Sequence, residues 1–157
     1  MTCAWEDCKK REYRASKYCF AHKEKARDRW KELMAKKERG RKDRDIRFSK
    51  IQADAVEAGM NAAKKCIPEP MYVEGVKEIY KVDKGVCGFA WVVHKPGNDS
   101  FSYWARKNGW ERHYYGGVQW WCFDFGQSME IKVAYCQAFS KSLNEAGIKA
   151  HYGSRID

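Results

Sequence analysis

Four residues near the amino terminus constrain this chain more than any others: Cys3, Cys8, Cys19 and His22, in the spacing C-x4-C-x10-C-x2-H. Two short ligand pairs joined by a longer loop suit a tetrahedral metal centre, because each pair spans one side of the ion and the loop carries the second pair round. Three thiolates and an imidazole favour zinc, and a set with no open position is structural rather than catalytic. The surrounding segment is polar and too short to fold by burying apolar surface, whereas a structural zinc supplies roughly 10–16 kcal/mol of apparent binding energy. The expectation is a zinc finger over residues 1–22 that holds one Zn2+.

The remaining cysteines agree with this. Seven is an odd number, and a full disulfide framework is a poor account of it where thiols stay reduced. No run of eighteen apolar residues occurs, and the first residues lack a basic tip followed by a greasy stretch. Neither a membrane span nor a secretion signal is expected, and the expected setting is cytoplasmic.

The formal charge of +10 is unevenly placed. Residues 1–50 carry 18 Lys and Arg against 9 Asp and Glu, which leaves 13 against 12 for residues 51–157. Basicity confined to one third of a chain reads as a footprint for a polyanion, since each neutralised phosphate releases condensed counterions. The candidate phosphate contacts are Lys9, Lys10, Arg11, Arg14, Arg27, Arg29, Arg39, Arg41, Lys42 and Arg44. The plainer alternative is a solvated helix face that keeps the protein in solution.

Along the chain, residues 23–65 read as helix, first highly charged and then alanine-rich, within a basic linker and packing helix over 23–70. Ala26, Trp30, Leu33, Met34 and Lys37 follow three- and four-residue steps, which places Trp30 and Leu33 on one stripe against the finger or the core. Gly40, inside a run of charges, is where a break or fraying is expected. A second stripe, Phe48, Ile51, Ala55, Ala58 or Gly59, and Ala62, makes a packing helix that Pro68 and Pro70 end.

Residues 71–157 read as an α+β sheet domain. Strands are expected at 76–82 and 87–93, joined as a hairpin by Asp83, Lys84 and Gly85. A short helix carries Phe101, Trp104 and Ala105 and closes at Gly109, and a second strand region covers 114–125, strongest over 118–125. A long amphipathic helix starts near Ser128 with Ile131, Ala134, Tyr135, Ala138, Phe139, Leu143 and Ala146 on one face. Gly147 caps it, and 148–154 forms a last strand. The order from Cys87 is strand, helix, strand, strand, helix, strand, which is ferredoxin-like: an antiparallel sheet with two helices on one face, plus an extra hairpin strand.

Alternation in the strands sends Phe89, Trp91, Trp120 and Trp121 to both faces of the sheet. One face packs on the helices, which leaves the other free to display rings to unpaired bases. Large aromatics are more often packed than displayed, so core or partner-interface roles are the first expectation. Asp124, Glu130 and Lys132 imitate a metal-dependent nuclease triad, but the last two fall on helix and read as a solvated face. Cys122 or Cys136 with His94, His113 or His151 has no supporting motif. No catalytic residue is assigned and no enzyme is expected.

The ligand set Cys3, Cys8, Cys19 and His22, followed at once by a basic helix, resembles the small amino-terminal finger of many bacteriophage HNH homing endonucleases over residues 1–30. That resemblance implies a module that helps to hold DNA. Nuclease activity does not carry over, because His94, His113 and His151 do not form the His-Asn-His core. Residues 87–157, with GFAWV, YGGVQ, QSM, GIKA and SRID, are similar to an uncharacterised group of small bacteriophage proteins. That second likeness implies a viral origin and gives no activity; with the basic segment, the expectation is a viral protein of the host cytoplasm that binds nucleic acid, DNA or RNA, by its backbone. The alternative is an adaptor or inhibitor that docks on a host bacterial protein through the aromatic sheet surface.

Overall fold

The computed structural model describes residues 2–9 and 17–157. Two compact units emerge, Met1–Asp45 and Ile46–Asp157. Helix α1, Phe20–Lys65, contributes to both. It is rich in Ala, Lys, Arg and Glu, which lose little freedom in a helix, and it contains no proline. Pairs one turn apart add to it: Asp28–Lys31 at 3.7 Å and Glu38–Lys42 at 3.6 Å. The expected break at Gly40 does not occur. Good helix formers on both sides outweigh the cost of one glycine, about 1 kcal/mol relative to alanine.

In the first unit, Trp30 and Leu33 do not seal against an apolar surface. They are 60% and 51% exposed and line an open cleft of about 300 Å³ with Trp5, Tyr18 and Arg29. In the second unit α1 buries Phe48, Ala55, Gly59 and Ala63, close to the expected stripe with Ala63 in place of Ala62. The helix ends before Pro68, where the chain turns extended.

The remaining elements of the second unit are β1 (Met71–Glu74), β2 (Ile79–Val82), β3 (Gly88–His94), α2 (Ser100–Ala105), β4 (Glu111–Arg112), β5 (Val118–Trp121), α3 (Met129–Glu145) and β6 (Ala150–Ile156). The main sheet runs β4-β5-β3-β6 with every neighbouring pair antiparallel. The expected α+β class and its ferredoxin-like order are present. Two corrections concern strand pairing. The segment around 76–82 does not join β3: β2 pairs with β1, Met71 opposite Val82, in a separate two-stranded sheet. The region expected to be strand from Tyr114 is instead a turn, with Gly116 and Gly117 both at positive φ, and its partner strand β4 lies before it.

The core sits between one face of the sheet and the helices. Ala90 and Val92 of β3 and Val118 of β5 meet Phe101 and Trp104 of α2 and Tyr135, Cys136, Phe139 and Leu143 of α3. Phe48 and Ala55 of α1 join the same cluster, so a third helical segment covers the face for which two helices were expected. Trp110 is buried among Phe101, Trp120 and Phe139 and donates its Nε1–H to Gln52 at 2.9 Å. On α3 the buried face includes Lys132, which sequence periodicity placed in solvent. Its stem is covered and its ammonium donates to the Gly88 carbonyl at 3.0 Å. No helix among the described residues is long and apolar enough to cross a membrane.

Candidate metal centre

A tight turn and a helix start build the site. The Cys8 N–H donates to the Trp5 carbonyl at 3.1 Å while Asp7 takes φ 60°, a left-handed conformation that a short polar residue tolerates, and this returns Cys8 toward Cys3. On the other side the Cys19 carbonyl accepts the N–H groups of His22 and Lys23, both at 3.0 Å, so Cys19 opens α1 and His22 lies in its first turn. The Ala4 N–H donates to the Lys17 carbonyl at 2.8 Å and ties the two segments together.

The ligand atoms of Cys3, Cys8, Cys19 and His22 all lie within 4.8 Å of one another. Cys8 Sγ is 3.8 Å from Cys19 Sγ, and His22 Nδ1 is 3.7 Å from Cys3 Sγ and 3.5 Å from Cys19 Sγ. Metal–sulfur and metal–nitrogen bonds of about 2.3 and 2.05 Å give tetrahedral edges of about 3.8 Å between sulfurs and about 3.6 Å between sulfur and nitrogen. These three separations match those edges, and the other ligand pairs lie within 4.8 Å. Cys3 and Cys19 are buried, and the His22 ring stacks on Trp5 with centroids 5.0 Å apart and planes 19° apart, which fixes the imidazole with Nδ1 toward the sulfurs.

The electrostatics favour a thiolate. Burial opposes ionisation of Cys3, but the N–H groups of Cys19 and Trp5 and the side chains of His22 and Cys19 outweigh it and draw its pKa down to about 6. The Cys19 N–H donates to Cys3 Sγ at 3.1 Å. These four side chains form a cluster of three sulfurs and one imidazole nitrogen with the geometry to hold a metal ion.

The other sequence candidates fall in three groups. Lys9, Arg27, Arg29, Arg39, Arg41, Lys42 and Arg44 are exposed, while Lys10, Arg11 and Arg14 lie outside the described residues. At 100° per residue Arg27 and Arg29 point to opposite sides of α1, as do Arg39 and Arg41, so the cations encircle the helix. Of the four aromatics, Trp120 is corrected to the helix-covered face. It lies 6.1 Å from Phe139 and 5.8 Å from Trp110, centroid to centroid, because it stands opposite Val92. Phe89, Trp91 and Trp121 share the opposite face. Phe123 and Arg155 flank those rings; the strand alternation that sets Trp120 against Trp121 also includes Phe123, while nothing in the sequence pointed to Arg155.

Comparison of the chain with family models, with curated proteins and with solved structures finds no match.

Proposed function

We propose that this is a nucleic-acid-binding protein whose first unit is folded by one structural zinc ion and contacts phosphates through the finger and the charged part of α1. The observation that carries this reading is the position of the ligand cluster. Cys19 immediately precedes α1 and His22 lies in its first turn, so one coordination event fixes the start of the helix that carries Arg27 to Arg44. Zinc is the ion that the donor set favours, because thiolate and imidazole in a closed tetrahedron leave no position for substrate. Cations all round the helix suit a phosphate backbone and give no register against bases, so contact by this unit is sequence-independent. The resemblance of the finger to phage endonuclease fingers points the same way and makes a viral source part of the proposal.

The test is binding of labelled duplex and single strands over a salt series. Affinity is expected to fall with a log–log slope of about −0.9 per duplex phosphate contact, and Arg39→Glu with Arg41→Glu to flatten that slope by about 1 to 2. An affinity indifferent to salt would remove the proposal.

A second reading, docking on a partner protein, is favoured by the β1–β2 hairpin. Tyr72, Val76, Ile79 and Tyr80 are each more than half exposed on it. A two-stranded hairpin is marginal alone in water, so this arm has apolar surface left to cover. Co-purification from lysate before and after nuclease treatment separates the readings, since a protein retained after nuclease indicates docking.

A further inference from the structure

We infer that the face of the β4-β5-β3-β6 sheet opposite the helices is a binding site for the unpaired nucleobases of single-stranded nucleic acid. The inference goes beyond phosphate contact by the first unit and does not need the metal centre, because every residue in it lies within Ile46–Asp157.

Register places the rings. Trp91 of β3 stands opposite Trp121 of β5 on one side and Gly153 of β6 on the other, and Phe89 stands opposite Arg155. Strand alternation puts these residues on the face away from Ala90, Val92 and Trp120, which meet the helices. Phe89, Trp91 and Trp121 take no part in the hydrophobic core cluster. They form a continuous strip instead. Trp91 and Trp121 have centroids 4.9 Å apart, Phe89 adds an edge contact to Trp121 at 6.4 Å, and Phe123, 80% exposed, extends the strip at 6.5 Å.

Gly153 shows how Trp91 is held. A Cβ there would stand 2.9–3.0 Å from Cε2, Cζ2 and Nε1 of the indole, so the ring lies directly over the glycine backbone. A glycine inside a strand weakens it and commonly marks close approach of another group. Here the approaching group is the Trp91 ring, which lies over the strand on one side, packs on Trp121 and is left half-buried. Such a ring on a sheet is a platform on which any base can stack, and four-stranded sheets bind single strands in this way.

The chemistry of the face favours bases over an apolar protein partner. Its one aliphatic side chain, Val93, is only 1% exposed, and what the face presents is the half-buried rings of Phe89, Trp91 and Trp121, the exposed ring of Phe123 and polar groups. The Arg155 guanidinium lies 5.5 Å from the Phe89 centroid, positioned to meet a phosphate beside a stacked base. His151 and Gln119 lie on the same face, and the carboxylate of Glu111 is confined to the short outer strand β4.

The experiment uses the full chain and three probes of equal length: a mixed-sequence single strand, in DNA and RNA forms, an abasic phosphodiester strand, and the matched duplex. The single strand is expected to bind more tightly than the abasic strand, with quenching of tryptophan fluorescence. Trp91→Ala and Trp121→Ala are each expected to weaken single-strand binding roughly 5- to 150-fold and to leave abasic binding unchanged. Phe123→Ala, at a side chain too exposed to matter for folding, is expected to act in the same direction if either tryptophan variant fails to fold. Equal affinity for the single and abasic strands, or folded variants with unaltered affinity, would overturn the inference and leave the face to a protein partner. Loss of abasic binding on Arg39→Glu and Arg41→Glu reports on the basic helix alone, so the two proposals fail separately.

Discussion

His94 is 3% exposed, and its two ring nitrogens both face oxygen: Nδ1 is 2.8 Å from the Lys149 carbonyl and Nε2 is 3.0 Å from Oδ2 of Asp99. The other Asp99 oxygen accepts the Ser102 N–H at 2.8 Å, so one carboxylate both caps α2 and partners the buried imidazole. Partial burial disfavours that carboxylate, but the Ser102 N–H and side chain and the charge and hydrogen bond of His94 hold its pKa below the usual range. A depressed folded pKa stabilises the fold fully above the unfolded value, about 3.9, and the contribution is lost as pH falls through the folded one. Asp99→Asn retains an oxygen for the cap and removes the charge. Its urea midpoint is therefore expected to lie below that of the wild type at pH 7, with the gap closing below about pH 4. A gap that persists unchanged at pH 3 would mean that charge is not its source. At the metal cluster, Cys3→Ser removes a buried sulfur to which the Cys19 N–H donates. It is expected to weaken zinc binding by more than the roughly 10- to 100-fold that loss of an outer hydrogen-bond partner costs, measured by competition with a chromophoric chelator.

Two glycines of α1 show how differently one residue type can act within an element. A Cβ at Gly40 would meet nothing within 4 Å, whereas at Gly59 it would stand 2.7 Å from the ring of Tyr135, a buried residue of α3. Gly40→Ala is thus expected to stabilise by about 0.5–1 kcal/mol through helix propensity and the unfolded chain. Gly59→Ala is expected to destabilise by about 1–3 kcal/mol, because Tyr135 or the helix must shift. Thermal unfolding of the two variants checks both signs. The same contrast shows what was legible in the sequence. The small-residue stripe around Ala55 and Gly59, the helix after Ser128 and the short helix at Phe101 follow from local periodicity, and all three formed. Strand pairing is non-local, and local turn signals do not determine it. The turn residues Asp83 to Gly85 suggested β2 with β3, but β3 already has β5 and β6 on its two edges, so β2 can pair only with β1. Lys132 was missed because its charge hides a long apolar stem, and only the Gly88 carbonyl beyond the helix explains its burial.

The two units differ in what holds them. In the first, the four ligands occupy positions 3 to 22 and the neighbouring helix surface is almost wholly exposed; in the second, a shared cluster runs from Phe48 to Ala150. The ligand set was legible because its spacing is local and its chemistry is carried by residue type alone. Which aromatic faces outward was not, since alternation gives two faces and only the packing of the helices decides between them. Removal of the metal with a strong chelator in reducing buffer follows from this division. Residues 2–9 and 17–22 have little apolar burial to retain their geometry, so the stacking of Trp5 on His22 is expected to be lost. Trp110 and Trp120 lie in the other core, and their near-ultraviolet circular dichroism is expected to persist. Binding to an abasic strand should weaken as the start of α1 loses its anchor, while the extra affinity contributed by bases should remain. If chelation instead melts both sets of signals together, the metal supports more than the amino-terminal unit, and the stability of the sheet domain must then be measured with the metal present.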